Sequence, residues 1–275
     1  MSDDKSQAVR VLTVTQWSPT LFSFQVTRPE SFKFTAGQFV RLGVNPHNLA
    51  HFTPKKALES LPMLQLETTI FRAYSVASSP YDEFLEFFSV VIPDGAFTAT
   101  LQYLQAGDTL WLNPMPYGFL TLARYQLPLP QDLWLLATGT GLAPFLSILK
   151  TLEVWQQYQQ IILVYSARTQ AELAYQDDIT SLKDFYGQGE TSADFRFIPM
   201  VTREPEFDGL QQRLPVLIAN GELETFANRR FNPATSHVMV CGNPQMVEDT
   251  KVALKQKGLT MNRRGEGNIA VENYW

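Results

Sequence analysis

The chain of 275 residues contains one cysteine, Cys241, and three histidines. A single thiol forbids an internal disulfide and any all-cysteine iron–sulfur cluster held within this chain, so an oxygenase reductase with its own fused cluster is excluded. It also fits a reducing compartment, and a cytoplasmic location is the expectation. No apolar run approaches a membrane span, and the acidic opening from Met1 to Lys5 is not followed by the apolar core of a signal peptide. Positive charge is not in excess either. The 22 basic groups stand against 27 acidic ones, a net charge of −5, and neither half of the chain is a basic module, so no nucleic-acid partner is expected. His47 and His51 are four apart, but Pro46 and Pro54 shorten any helix there and no carboxylate stands at a ligand spacing, so no metal site is expected.

What is present divides in two. At 45% hydrophobic and 18% charged the composition is globular, and the length favours two cores over one. Residues 1–123 read as β-rich. Val9–Val14 and Leu21–Val26 alternate across a turn at Trp17–Thr20, and further strands are predicted at Val40–Gly43, Phe71–Ala77, Leu85–Ile92 and Thr109–Leu112. Short strands with Gly and Pro turns predict a small antiparallel barrel. One helix is predicted at Phe97–Leu104. The segment from Val44 to Ile70 fits the barrel poorly and reads as a surface excursion. Residues 124–131 read as a linker. From 132 to 275 the pattern becomes α/β: apolar strands at Leu133–Ala137, Ile161–Tyr165, Phe195–Val201 and His237–Cys241, with helices after Pro144, near Glu172–Phe185 and at Pro244–Lys257. That alternation predicts a doubly wound parallel sheet.

Three stretches and a set of arginines carry chemistry. Arg72, Ala73, Tyr74 and Ser75 place a guanidinium, a phenol ring and a hydroxyl on one strand-like run. A flat, electron-poor ring bearing a pyrophosphate calls for that set, since the aromatic stacks, the hydroxyl bonds a ring nitrogen and the arginine forks onto phosphate. Gly95, Ala96, Phe97 and Thr98 open the predicted helix, where free N–H groups form either an anion site or a plain cap. Downstream, Thr138, Gly139, Thr140 and Gly141 follow an apolar strand and precede Pro144. The glycines let the backbone approach a pyrophosphate, although Pro144 replaces the third glycine of the six-residue dinucleotide fingerprint. Arg168 ends the next strand, where an NAD site would want a carboxylate for the ribose hydroxyls. A guanidinium there suits a 2′-phosphate, and Arg203 and Arg213 are positioned to join it.

With these motifs in this order, together with Cys241, Gly242, Asn243 and Pro244 and the closing Val271 to Trp275, the chain resembles the ferredoxin–NADP reductases, in particular their bacterial branch, from about Phe34 to Trp275. The resemblance implies an N-terminal FAD-binding β-barrel followed by an NADP-binding α/β domain. It implies that Arg72, Tyr74 and Ser75 hold FAD, with Ser75 near N5, and that Gly95–Thr98 face its pyrophosphate. It also implies that Cys241 lies beside the nicotinamide and Gly242 in the NADP site, that Ser75, Cys241 and Glu272 are the catalytic residues, and that Tyr274 and Trp275 pack on the flavin. The implied cofactors are FAD and NADP(H), and the implied partners are ferredoxin or flavodoxin. The protein is expected to act as a monomer. Two other functions fit parts of the pattern: an NAD(P)H-dependent flavin or small-acceptor reductase with no protein partner, and a non-catalytic nucleotide sensor. The last stretch, Ile269–Trp275, turns apolar after Gly267 and is expected to dock on a flat surface, the flavin in related reductases.

Overall fold

The computed structural model describes residues 5–50, 68–92, 95–125, 130–186 and 193–273. The chain divides into two compact units, Met1–Gly118 and Phe119–Trp275. Of the expected linker, Arg124 and Tyr125 belong to the second unit, where Tyr125 is buried. Among the described residues no helix is long and apolar enough to cross a membrane.

The first unit is built from six strands: β1 (Gln7–Ser18), β2 (Leu21–Thr27), β3 (Phe39–Val44), β4 (Ile70–Ser75), β5 (Phe84–Val90) and β6 (Thr109–Tyr117). They pair antiparallel in the order β4-β3-β6-β1-β2-β5. The two outer strands meet just beyond β4, where Val76 bridges Phe87 and the Ala77 N–H donates to the Glu86 carbonyl at 2.8 Å. The sheet therefore closes on itself, which removes its exposed edges. Its interior is filled by Phe22, Phe24, Leu42, Leu85 and Phe87, with Phe97 and Leu101 of the short helix α1 (Ala96–Leu101) packed against them. The strand β6 runs beyond the predicted Leu112 through Pro114 and Pro116, and its pairing with β3 is irregular there. Irregular pairing is where a strand tolerates a residue that cannot donate.

The second unit is a five-stranded parallel sheet, ordered β11-β10-β7-β8-β9. Its strands are β7 (Asp132–Thr138), β8 (Gln160–Ala167), β9 (Asp194–Val201), β10 (Ser236–Gly242) and β11 (Ile269–Asn273). Trp134, Leu136, Val164 and Val240 face one side, where helices α5 (Leu214–Asn220), α6 (Glu222–Ala227) and α7 (Pro244–Gln256) cover them. The alternating residues Leu133, Leu135, Leu163 and Tyr165 are buried as well. Burial on both faces explains why β7 and β8 read as unbroken apolar runs.

Three features differ from expectation. The helix predicted after Pro144 is two, α2 (Ala143–Leu149) and α3 (Leu152–Gln157), broken where the Thr151 hydroxyl donates to the Ile148 carbonyl and the Trp155 indole to the Leu149 carbonyl. The predicted helix near Glu172–Phe185 is a 3-10 turn at Gln170–Glu172 followed by α4 (Gln176–Tyr186). The apolar tail is the third. Ile269–Asn273 forms a strand where none was expected, paired parallel to β10 at the edge of the sheet, with Ile269 and Ala270 buried. Tyr274 and Trp275 lie outside the described residues, as do His51 and most of the expected excursion.

Candidate functional site

In the second unit the strands β8 and β9 lie to one side of β7 and β10 and β11 to the other, so the direction of winding reverses between β7 and β10. Ligands of open α/β sheets bind outside the carboxyl ends of the strands at such a reversal. Thr138, Gly139, Thr140 and Gly141 occupy that position, forming a 3-10 turn at Gly139–Leu142 that leads into α2. The turn is pressed against the end of β10. A methyl group on Gly141 would overlap the Cys241 carbonyl, and one on Gly242, whose φ is +142°, would overlap the Thr138 hydroxyl. Glycine is required at both because two backbones pass in contact at the carboxyl end of the sheet. Asn243 caps the helix α7, its side-chain oxygen accepting from the Gln245 and Met246 N–H groups at 3.0 and 3.3 Å.

Cys241 is buried, and its register partners are Ala137 on one side and Glu272 on the other. Register partners in a parallel sheet share a face, so the thiol and the carboxyl stand side by side at the end of the sheet. Burial pushes the Glu272 carboxyl up to about 7 from its ordinary 4.5.

The arginines gather at the ends of the next two strands. The Arg203 N–H donates to the Arg168 carbonyl at 2.9 Å. Leu210 bridges Met200 of β9, and Arg213, three residues on, is the cap of α5. All three arginine side chains are exposed. Arg168 is forked onto Glu172: the carboxylate accepts from Nε at 3.0 Å, from Nη2, and from the Arg168 backbone N–H at 3.1 Å. The hydrogen bond to Glu172 raises the guanidinium further above its ordinary range.

In the first unit β4 carries the other group. Arg72 is exposed and its Nη1 donates to the Phe71 carbonyl at 2.8 Å. Tyr74 lies against Phe97 with ring centroids 5.5 Å apart, and its hydroxyl shares a 2.8 Å hydrogen bond with Ser89 across the barrel. Burial holds that phenol above its ordinary range. Ser75 is 3% exposed, and its Oγ has no hydrogen-bond partner. A buried hydroxyl without a partner costs free energy, which a ligand atom placed against it would relieve. The Gly95 N–H is engaged with the Ile92 carbonyl, and the Thr98 hydroxyl accepts from the Ile92 N–H at 3.0 Å. The first-turn N–H groups of Ala96, Phe97 and Thr98 lack intrahelical acceptors. The Phe97 side chain belongs to the barrel core.

Sequence reasoning missed Ser89, Glu172 and the capping role of Asn243. Asn243 before Pro244 is a cap signal, and Glu172 four residues after Arg168 is a charge-pair signal. Ser89 is brought to Tyr74 only by barrel closure and has no local signature.

A closed antiparallel barrel followed by a parallel sheet with a glycine turn at its winding reversal defines a two-unit oxidoreductase of the barrel and nucleotide-domain class. Residues 135–252 match the family described as the oxidoreductase NAD-binding domain. A ferredoxin–NADP reductase of Pseudomonas aeruginosa is 38% identical over 269 residues, covering 96% of this chain and 95% of that protein. A flavodoxin/ferredoxin–NADP reductase of Escherichia coli is 35% identical over 268 residues, 97% of each. A ferredoxin NADP+ reductase from Neisseria gonorrhoeae, solved with bound FAD and NADP, superposes with a TM-score of 0.82 at 36% identity, covering 98% of each chain. The chain belongs to the ferredoxin–NADP reductase family.

Proposed function

We propose that the protein takes reducing equivalents from NADPH onto FAD and hands them to ferredoxin or flavodoxin. The observation that carries the NADPH half is that Arg168 and Arg203 follow β8 and β9 and are joined by a main-chain hydrogen bond, with Arg213 at the cap of α5 three residues after the Leu210 bridge to β9, in the same sheet as the glycine turn that would hold the pyrophosphate. The orphaned Ser75 hydroxyl supports the flavin half: it fits a ring nitrogen, with Tyr74 and Arg72 beside it for the ring and its phosphates. FAD, when bound, accepts an electron pair as hydride and releases electrons singly.

The chain's own contribution is binding, orientation and exclusion of water. Arg72 and the first-turn N–H groups of α1 would neutralise the flavin pyrophosphate. Burial keeps the Tyr74 phenol neutral and the hydrogen bond with Ser89 fixes it, so its ring orientation is set before any ligand arrives. Cys241 offers the nicotinamide a small, buried contact, with Glu272 as its polar neighbour. The test is a comparison of acceptors. NADPH oxidation with purified ferredoxin or flavodoxin should exceed that with free flavin at equal concentration. Turnover with free flavin alone would contradict the proposal and point to a small-acceptor reductase.

A further inference from the structure

The three arginines assigned to the 2′-phosphate are not equivalent. Arg203 and Arg213 carry no ion pair among the described residues, whereas Arg168 is already bound on two donors and its main chain by one carboxylate. Glu172 is the better shielded of the two, at 16% side-chain exposure against 49% for Arg168. It sits on a turn tied to the surrounding sheet: the Tyr165 hydroxyl donates to its carbonyl at 3.1 Å, and the Gln170 N–H donates to Glu204 at 2.9 Å. Glu172 is thus built in, and its negative charge lies against the guanidinium that a phosphate must engage.

We propose that Glu172 is a specificity-determining residue, a resident counter-anion that occupies Arg168 when no 2′-phosphate is present and lowers the affinity for one. The inference rests on the assignment of Arg168 to the 2′-phosphate. Two anions then compete for one guanidinium. A phosphate carries up to two charges and outcompetes the carboxylate for Arg168, but it does so against the repulsion of a neighbour it cannot displace far. The arrangement weakens the grip on NADP(H) while leaving an unphosphorylated dinucleotide untouched. It therefore speeds release of the oxidised nucleotide and narrows the preference for NADPH over NADH.

Glu172→Gln separates charge from placement, because its amide oxygen still accepts from Nε or the backbone N–H. A screened like charge at a surface is worth up to about fivefold in affinity. Calorimetric titration of the flavin-loaded protein with adenosine 2′,5′-bisphosphate should show Glu172→Gln binding about threefold or more tightly than the parent, with 5′-AMP binding unchanged. Unchanged or weakened bisphosphate binding overturns the inference, and so does an equal gain for both nucleotides. Arg168→Ala tests the underlying assignment separately. If it binds the bisphosphate like the parent, the 2′-phosphate reading of Arg168 is wrong and the role of Glu172 falls with it. If it weakens binding while Glu172→Gln brings no gain, only the role of Glu172 fails.

Discussion

Ser75 and Arg168 are opposite cases of polar satisfaction, and each makes a different test possible. A buried hydroxyl with no partner costs about 1–3 kcal/mol, so Ser75→Ala should leave the flavin-free protein as stable as the parent or more so. On the proposed function, which gives the hydroxyl a partner on the flavin, the same change should slow flavin reduction by NADPH. A drop in the flavin-free melting temperature would show instead that Ser75 supports the barrel. For Arg168→Ala, loss of a charge-assisted hydrogen bond of about 1.5–3 kcal/mol should cost roughly ten- to a hundredfold in kcat/KM with NADPH and almost nothing with NADH. Equal losses with both nucleotides would assign Arg168 to the fold. Glu272 yields a pH test. Its folded carboxyl holds its proton up to about 7, against an ordinary 4.5. Between those values the unfolded chain binds fewer protons than the folded one, so this group's contribution is fully present below pH 4.5 and is lost as pH rises to about 7. Denaturant midpoints of Glu272→Gln across that window should fall less steeply than those of the parent, and parallel curves would refute the burial argument.

At the scale of elements, the contact between the glycine turn and the end of β10 is the feature most sensitive to a single methyl group. Gly141→Ala must push the turn off the Cys241 carbonyl, at a cost of about 1–3 kcal/mol in stability and with loss of adenosine-nucleotide binding. Titration with NADP+ and thermal melting of the variant measure both, and a variant that binds normally would show that the approach is not needed. The strands β7 and β8 are legible in the sequence because burial on both faces leaves unbroken apolar runs, and β1 because one face alternates. The glycine turn and Arg168 are legible because their chemistry is local. By contrast α5 and α6 are seven and six residues long and meet at Gly221 in a left-handed turn, too short to show a period above the background. The strand β11 was hidden because its apolar residues serve equally for a sheet edge or a docked tail. The Tyr74–Ser89 bond spans 15 residues and exists only once the barrel closes.

For the molecule as a whole, two behaviours are expected. Basic residues that would draw an acidic carrier are Lys33 and Arg41 on the first unit and, separately, Arg263 and Arg264 on the second, with Lys55 and Lys56 outside the described residues. Steering depends on such a local patch more than on the net charge of −5, so reduction of an acidic ferredoxin should slow as ionic strength rises. A flat rate would favour an apolar contact. The central claim is that one chain joins NADPH to a flavin, and it is tested most directly by an absorbance spectrum of the purified protein before and after anaerobic addition of NADPH. The account predicts an oxidised flavin band, released by heat as FAD, that NADPH bleaches at far lower concentration than NADH. A colourless protein after expression with ample riboflavin, or a flavin band that NADPH leaves unchanged, would contradict it.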